Sequence, residues 1–226
     1  MIGAGAEFAK DTLLATGKIS ALTVIPLLDA PDETLPLEAA SLDLIVSFLM
    51  LHEVNDVPGA LIQMKRALKA DGLMLAVMPG GETLKELRFA LTQAETEIYG
   101  GASPRVLPFA DVRAAGALLQ RTGFALPVTD AETLTVRYDS AFALMKDLRG
   151  MGAQNALLAR ARRPAGRRFF QRTAEVYAEN FSDADGRVRA TFSFISMSGW
   201  SPHPSQQKPL KPGSAKVSLA DFLGKA

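Results

Sequence analysis

Two short, almost uninterrupted apolar runs constrain this chain more than anything else in it: LDLIVSF at residues 42–48 and LMLAVM at 73–78. A strand with one wet face alternates apolar and polar residues. Runs without that alternation read as parallel strands covered on both faces. Between them, Asn55, Asp56, Val57 and Pro58 supply a capping residue followed by proline, which opens a helix from about Pro58 to Leu68. Leu61, Ile62, Met64 and Leu68 form its apolar side, and Gly72 is placed to end it in the left-handed conformation. Strand, helix, glycine turn and strand make a βαβ unit, and such units cross over right-handed. The expected class is therefore α/β.

The flanking segments extend this core. EFAKDTLLATGK (7–18) reads as a short helix ended by Gly17, and LTVIPLL (22–28) as a strand in which Pro26 sits poorly, followed by an acidic turn at 29–33. Residues 83–99 and 111–122 read as helices, the second capped by Asp111, and Thr83 with Glu86 fits a capping box. A strand begins at Gly123, and ETLTVRY (132–138) alternates as an antiparallel edge strand does. A helix over 141–148, a basic helix-rich stretch to Tyr177, a late strand FSFISM (192–197) and a proline-rich extended tail at 201–214 complete the reading.

Composition removes whole classes of function. With 226 residues, 48% of them hydrophobic and 22% charged, the chain can bury a sizeable core and is not intrinsically disordered. No cysteine is present, which excludes disulfides, thiolate metal sites and cysteine nucleophiles. Only His52 and His203 are available as imidazole ligands, and they stand far apart, so no metal site is expected. A net charge of +1 gives no global attraction to nucleic acid. The N-terminus lacks the basic-then-apolar layout of a signal peptide, and LDLIVSFLML (42–51) is too short to span a bilayer. A soluble protein of a reducing cytoplasm is the expectation.

In an open parallel sheet, ligands bind at the C-terminal edges of the strands, near the point where strand order reverses. That places Ser47, Phe48 and the residues up to His52 where a nucleotide-like ligand would lie, with Phe48, Leu49 and Met50 able to cover an adenine face. At these residues the chain resembles a known family. LDLIVS, then LH, ND and a helix ending in LKADG before LMLAV looks like the second half of class I S-adenosylmethionine-dependent methyltransferases. GGETLKELR, the AET of QAETEIYGG, SPRVLPF, LLQRTGF, DLRGMG, SGW and GSAKVSL are similar to one subfamily. It contains a mitochondrial assembly factor of respiratory complex I, described as a protein-arginine hydroxylase, and its bacterial relatives. A biotin-pathway methyltransferase acting on malonyl-carrier protein is a more distant relative. The resemblance covers residues 27 to 220 and implies a Rossmann-like sheet, an S-adenosylmethionine cofactor and, for a eukaryotic member, the mitochondrial matrix.

The front departs from the family pattern. Relatives begin with a strand ending in a glycine-rich loop, then a helix and a second strand ending in a ribose-binding acid. Here Gly3-Ala4-Gly5 is the one glycine-rich candidate, with two residues before it, and no second-strand acid is evident. The expectation is a sheet lacking its first strand or strands and a cofactor cradle that is incomplete, so that binding is weak or lost. The chain is read as one domain: a divergent or truncated front (1–34), a core (35–148) and a helical C-terminal elaboration (149–226).

The candidate cofactor residues are Gly3, Gly5, Asp32, Ser47, Phe48 and His52. For Gly3 and Gly5 the bland alternative is a flexible terminus. The resemblance assigns Asp32 to the adenine amino group, with Asp29 or Glu33 as alternatives in register and an ordinary acidic turn as the plain reading. For His52 a solvent-facing or cap histidine is at least as good a reading as a ligand contact, and a catalytic base is a weaker reading than either. Glu53 stands where relatives often carry an aromatic residue. Methyl transfer needs mainly positioning, so no catalytic residue is named. Arg160, Arg162, Arg163, Arg167, Arg168 and Arg172 have no acid between Met151 and Thr173. They read first as a solvated face, and otherwise as a dock for an acidic partner such as a carrier protein or a nucleic-acid phosphate. The activity that the resemblance implies is a methyl transfer to an unidentified acceptor. Its rivals are hydroxylation of a protein arginine and a non-catalytic assembly role.

Overall fold

The computed structural model describes residues 1–3, 6–25, 33–208, 213–214 and 224. Strands β1 (Leu42–Phe48) and β2 (Leu68–Pro79) pair in parallel, with Ile45 opposite Met74 and Ser47 opposite Ala76. Helix α2 (Val57–Ala67) joins them, and the side chain of Asp56 caps it by accepting from Gly59 N at 2.9 Å. The helix stops earlier than the sequence suggests. Leu68 already pairs with Leu42, and the left-handed residue is Asp71 (φ 61°) rather than Gly72.

Strands β3 (Ala125–Tyr138) and β4 (Val188–Trp200) then add antiparallel, giving the order β1-β2-β4-β3. The two strand segments expected at 123–126 and 132–138 are one continuous edge strand with an irregularity between Ala125 and Val128. Beyond β1 the sheet continues through single-residue parallel bridges, Ile2 to Ser47 and Ile2 to Ile25. Ile2 N donates to Val46 O at 2.9 Å, and Phe48 N donates to Ile2 O at 2.8 Å. The expected strand at 22–28 is therefore reduced, within the described residues, to Ile25. Residues 26–28 lie outside them.

Ile45, Met74, Met78, Ile195 and Met197 pack against Leu61 and Met64 of α2 and Leu119 of α4 (Val112–Arg121) in one core. Alternation puts Leu44 and Leu75 on the opposite face, where they remain 36% and 39% exposed. The expectation of cover on both faces is thus corrected: one face of the parallel pair is dry and the other partly open. A second core gathers α3 (Lys85–Tyr99), α5 (Ala141–Gly150) and α6 (Arg167–Phe181) around Phe169, Tyr177, Leu144 and Ala190. The short helix α1 (Ala6–Ala15) precedes a left-handed Gly17.

Two polar side chains show how the second core is fixed to the sheet. The Thr83 hydroxyl donates to Ser193 O at 2.7 Å and accepts from Ser193 N, while the Glu86 carboxylate accepts from Thr191 N at 3.0 Å and from the Thr191 hydroxyl. The expected capping box does not form, because both groups are engaged by β4. Leu84, left-handed at φ 56°, begins α3 without a side-chain cap.

Glu95 of α3 is the fully buried acid of this region. Its carboxylate accepts from Arg105 Nε and Nη2 at 3.0 and 2.8 Å and from Ser103 N at 2.9 Å, and Arg163 Nη2 stands 3.5 Å away. Burial pushes this carboxyl up, but the Arg105 and Ser103 hydrogen bonds outweigh it and hold it at about 2.

Candidate functional site

The chain leaves β1 through a sharp turn. Leu49 is left-handed (φ 47°), its N–H donates to Val77 O at 3.0 Å, and Met50 and Leu51 are driven into the core. Met50 is therefore a core residue, not part of a flat adenine cover as the sequence suggests. Gly3 lies across the strand end at φ 111°, where a β-carbon would fall 1.9 Å from the carbonyl oxygen of Phe48. Only glycine fits that approach. The first-strand position expected to be missing is thus held by Ile2, with Gly3 at its end. Gly5 and Asp32 lie outside the described residues.

Two buried polar atoms at this edge have no hydrogen-bond partner among the described residues: Ser47 Oγ and His52 Nδ1. Buried polar groups are nearly always paired, by protein, water or ligand, so each calls for an explanation. The His52 ring stands 6.1 Å from that of Phe109, and its Nε2 is 3.8 Å from Glu53. Burial lowers its basicity more than Glu53 raises it, which leaves the imidazole neutral at pH 7. Phe109, rather than residue 53, provides the aromatic ring beside His52.

Glu33, one of the three acids open to the adenine role, is engaged elsewhere. Its carboxylate accepts from Asn55 N at 2.7 Å, Asn55 Nδ2 at 2.7 Å and Asp56 N at 2.9 Å, closing the loop before α2. The Asn55 and Asp56 backbone bonds lower its pKa.

Ser47, Phe48 and His52 line neither of two clefts formed by described residues. One, of about 420 Å³, is walled by Gly81, Arg88, Thr92, Arg105, Pro108 and Phe109 among others. It begins at the C-terminal end of β2, where Gly81 N donates to Ala110 O at 2.9 Å, and shares Phe109 with His52. The other, of about 540 Å³, lies along the outer side of α3. Neither Arg88 nor Phe109 stood out from residue chemistry. The signal available was their place in the GGETLKELR and SPRVLPF blocks.

The arginine stretch is mostly irregular, with α6 starting only at Arg167. Its acids come from α3 and from further along α6: Arg163 pairs with Glu95 and stacks 3.6 Å from the Tyr99 ring centroid, and Arg172 binds Glu97, Glu175 and Glu179. Arg162, Arg167 and Arg168 are exposed and form no ion pair among the described residues. A triple Arg→Gln variant at those positions is expected to melt within about 0.5 kcal/mol of the parent. Arg163→Gln is expected to cost about 1 kcal/mol through the lost stacking. Denaturant melts of both variants check this, and equal losses would contradict it.

Among the described residues no helix is long and apolar enough to cross a membrane, and no group of three or more His, Asp or Glu is gathered for a metal.

Parallel strands with a glycine at the end of the first-strand position are features of nucleotide-binding α/β proteins. Residues 5–76 match the family described as "Methyltransferase domain". The chain belongs to the class I S-adenosylmethionine-dependent methyltransferase family. It is 42% identical over 220 residues to the human "Arginine-hydroxylase NDUFAF5, mitochondrial", covering 97% of this chain and 63% of that protein. The Dictyostelium discoideum protein of the same description is 43% identical over 189 residues, covering 83% of this chain and 43% of its own. The "Malonyl-[acyl-carrier protein] O-methyltransferase" of Laribacter hongkongensis is 36% identical over 207 residues, with 91% and 67% covered. The chain thus spans 43% and 63% of the length of the two NDUFAF5 proteins. Among solved structures, a Bacillus halodurans protein described as a candidate methyltransferase superposes with a TM-score of 0.52 at 13% identity, covering 89% of this chain and 90% of its own. That likeness concerns the fold.

Proposed function

We propose that the chain holds S-adenosylmethionine across the C-terminal edge of β1 and transfers its methyl group to an acceptor bound alongside. The observation that carries this reading is the pair of partnerless buried atoms, Ser47 Oγ and His52 Nδ1, at the end of a parallel strand. They fit a ligand with hydrogen-bonding edges, such as an adenosine. In this reading Gly3 and Gly5 let the backbone approach the amino-acid end, and Asp32 meets the adenine amino group. Phe48 lies against the base.

When bound, the cofactor supplies an electrophilic sulfonium methyl group. The chain's own residues orient and exclude water: Phe109 covers the imidazole, and the neutral His52 offers a hydrogen bond without a positive charge to repel a sulfonium. No residue is assigned to proton transfer, because orientation alone supplies much of the rate in such a displacement.

The identity to proteins described as arginine hydroxylases favours a second reading, in which a protein arginine is the acceptor and the chain serves assembly of a larger complex. Arg162, Arg167 and Arg168 would then form part of the dock for an acidic protein partner. A reaction with labelled cofactor, offered malonyl-carrier protein in one arm and an arginine-bearing protein in another, separates the readings by mass spectrometry. Gain of one CH2 on either acceptor supports methyl transfer. With dioxygen and a two-electron reductant also supplied, gain of one oxygen on arginine, balanced by release of water, supports hydroxylation, and no change on any acceptor points to the assembly role.

A further inference from the structure

The Arg88 cleft has an electrostatic peculiarity that the cofactor reading leaves unused. Two arginines wall it, Arg88 and Arg105, and no acid does. Arg105 is neutralised by Glu95 and its guanidinium carbon lies 4.3 Å from the Phe169 ring centroid. Arg88 has no carboxylate partner among the described residues. Its guanidinium reaches only three carbonyl oxygens, of Gly81, Thr83 and Leu107, each at 3.4 Å, the long limit of a hydrogen bond. Three of its five N–H donors are engaged, all at the long limit, so a planar anion gripped by two parallel donors can displace these contacts. The remaining walls are Val106, Pro104, Pro108 and Phe109, and the volume of about 420 Å³ is that of a small-molecule site.

We infer that this cleft binds a small organic carboxylate. Arg88 clamps the carboxylate, and the proline, valine and phenylalanine walls take its apolar body. The inference rests on the methyltransferase reading in one respect only. Phe109 is shared between this cleft and His52, so the carboxylate would be the handle by which the acceptor is oriented beside the cofactor. Phosphate lacks the apolar body and an alcohol lacks the charge, so neither alone should fill the site.

The test uses the whole chain and hexanoate as the probe, with hexanol and inorganic phosphate as controls, followed by NMR of the arginine side-chain N–H groups. Hexanoate is expected to shift the Arg88 resonance saturably, hexanol and phosphate at least about tenfold more weakly, on the scale of a charged hydrogen-bonded pair. Arg88→Gln should weaken hexanoate binding by about tenfold or more, with Arg88→Lys intermediate. Because Arg88→Gln also removes the three carbonyl contacts, Thr92→Trp provides a second route: it fills the cleft and keeps the charge, and it too should abolish binding. Equal binding of hexanol, an unaffected Arg88→Gln variant, or phosphate binding as tightly as hexanoate would overturn the assignment. Titrating S-adenosylmethionine into the same samples keeps the two readings apart, since Arg88→Gln should leave cofactor binding unchanged. Hexanoate binding without cofactor binding would retain the carboxylate site and reject the methyltransferase reading.

Discussion

Ile45→Asp is expected to leave no folded protein at 25 °C. Ile45 is 2% exposed, sits opposite Met74 in the parallel pair and packs into the core with α2 and α4. A carboxylate there would have no partner, and burying an unpaired charge costs several kcal/mol, on the order of the whole stability of a domain. Circular dichroism and a thermal melt check this. Ile45→Val removes one methylene and should cost only about 1 kcal/mol, which serves as the control for position. A soluble Ile45→Asp variant with the parent melting temperature would place the residue outside the core.

The second large effect is at Glu95. Glu95→Ala leaves the Arg105 guanidinium facing a cavity and frees Ser103 and Arg163, and breaking such a buried pair costs about 3–5 kcal/mol. The same pairing gives stability a defined pH dependence. The folded carboxyl stands at about 2 against an ordinary 4.5, so its contribution is complete above pH 4.5 and is lost as pH falls through 2. By linkage that contribution is about 3 kcal/mol. Urea melts between pH 6 and 2 should show a steeper decline in the parent than in Glu95→Ala, whose remaining slope comes from other paired carboxyls such as Glu33. Parallel curves for the two proteins would contradict the assignment.

The parallel pair was legible because its cause is local. The apolar runs, the Asp56 cap with Pro58, and the Asp111 cap, which accepts from Ala114 N at 2.7 Å, each leave a signature within a few residues. What escaped was decided through space. Thr83 and Glu86 have the spacing of a capping box, yet β4 arrives with Thr191 and Ser193, more than a hundred positions later, and takes both groups. The arginine stretch looks unpaired because its acids lie outside it, Glu95 and Glu97 on α3 and Glu175 and Glu179 further along α6. Leu44 and Leu75 belong to uninterrupted apolar runs, but the described elements cover their face only in part. Continuous hydrophobicity states that a strand prefers burial, not which neighbour provides it.

At the candidate site the same division holds. Ser47, Phe48 and His52 were legible because the C-terminal edge of a parallel strand is where such sheets bind ligands. The use of Ile2 and Gly3 as the continuation of the sheet was not, since a single-residue bridge has no sequence period. Its signature is the left-handed φ of Gly3 and the approach to Phe48 O, both visible only in three dimensions. Arg88 was hidden for the opposite reason: its distinction is the absence of an acid beside it among the described residues, which no linear pattern records.

The central claim is that residues at the end of β1 hold S-adenosylmethionine, and calorimetric titration of the chain with the cofactor and with its demethylated product tests it most directly. The account predicts saturable binding of both at one site per chain. It also predicts loss of that binding in Gly3→Val, whose side chain would enter the space taken by the Phe48 carbonyl. No heat from either ligand, or a Gly3→Val variant that binds like the parent, would contradict it.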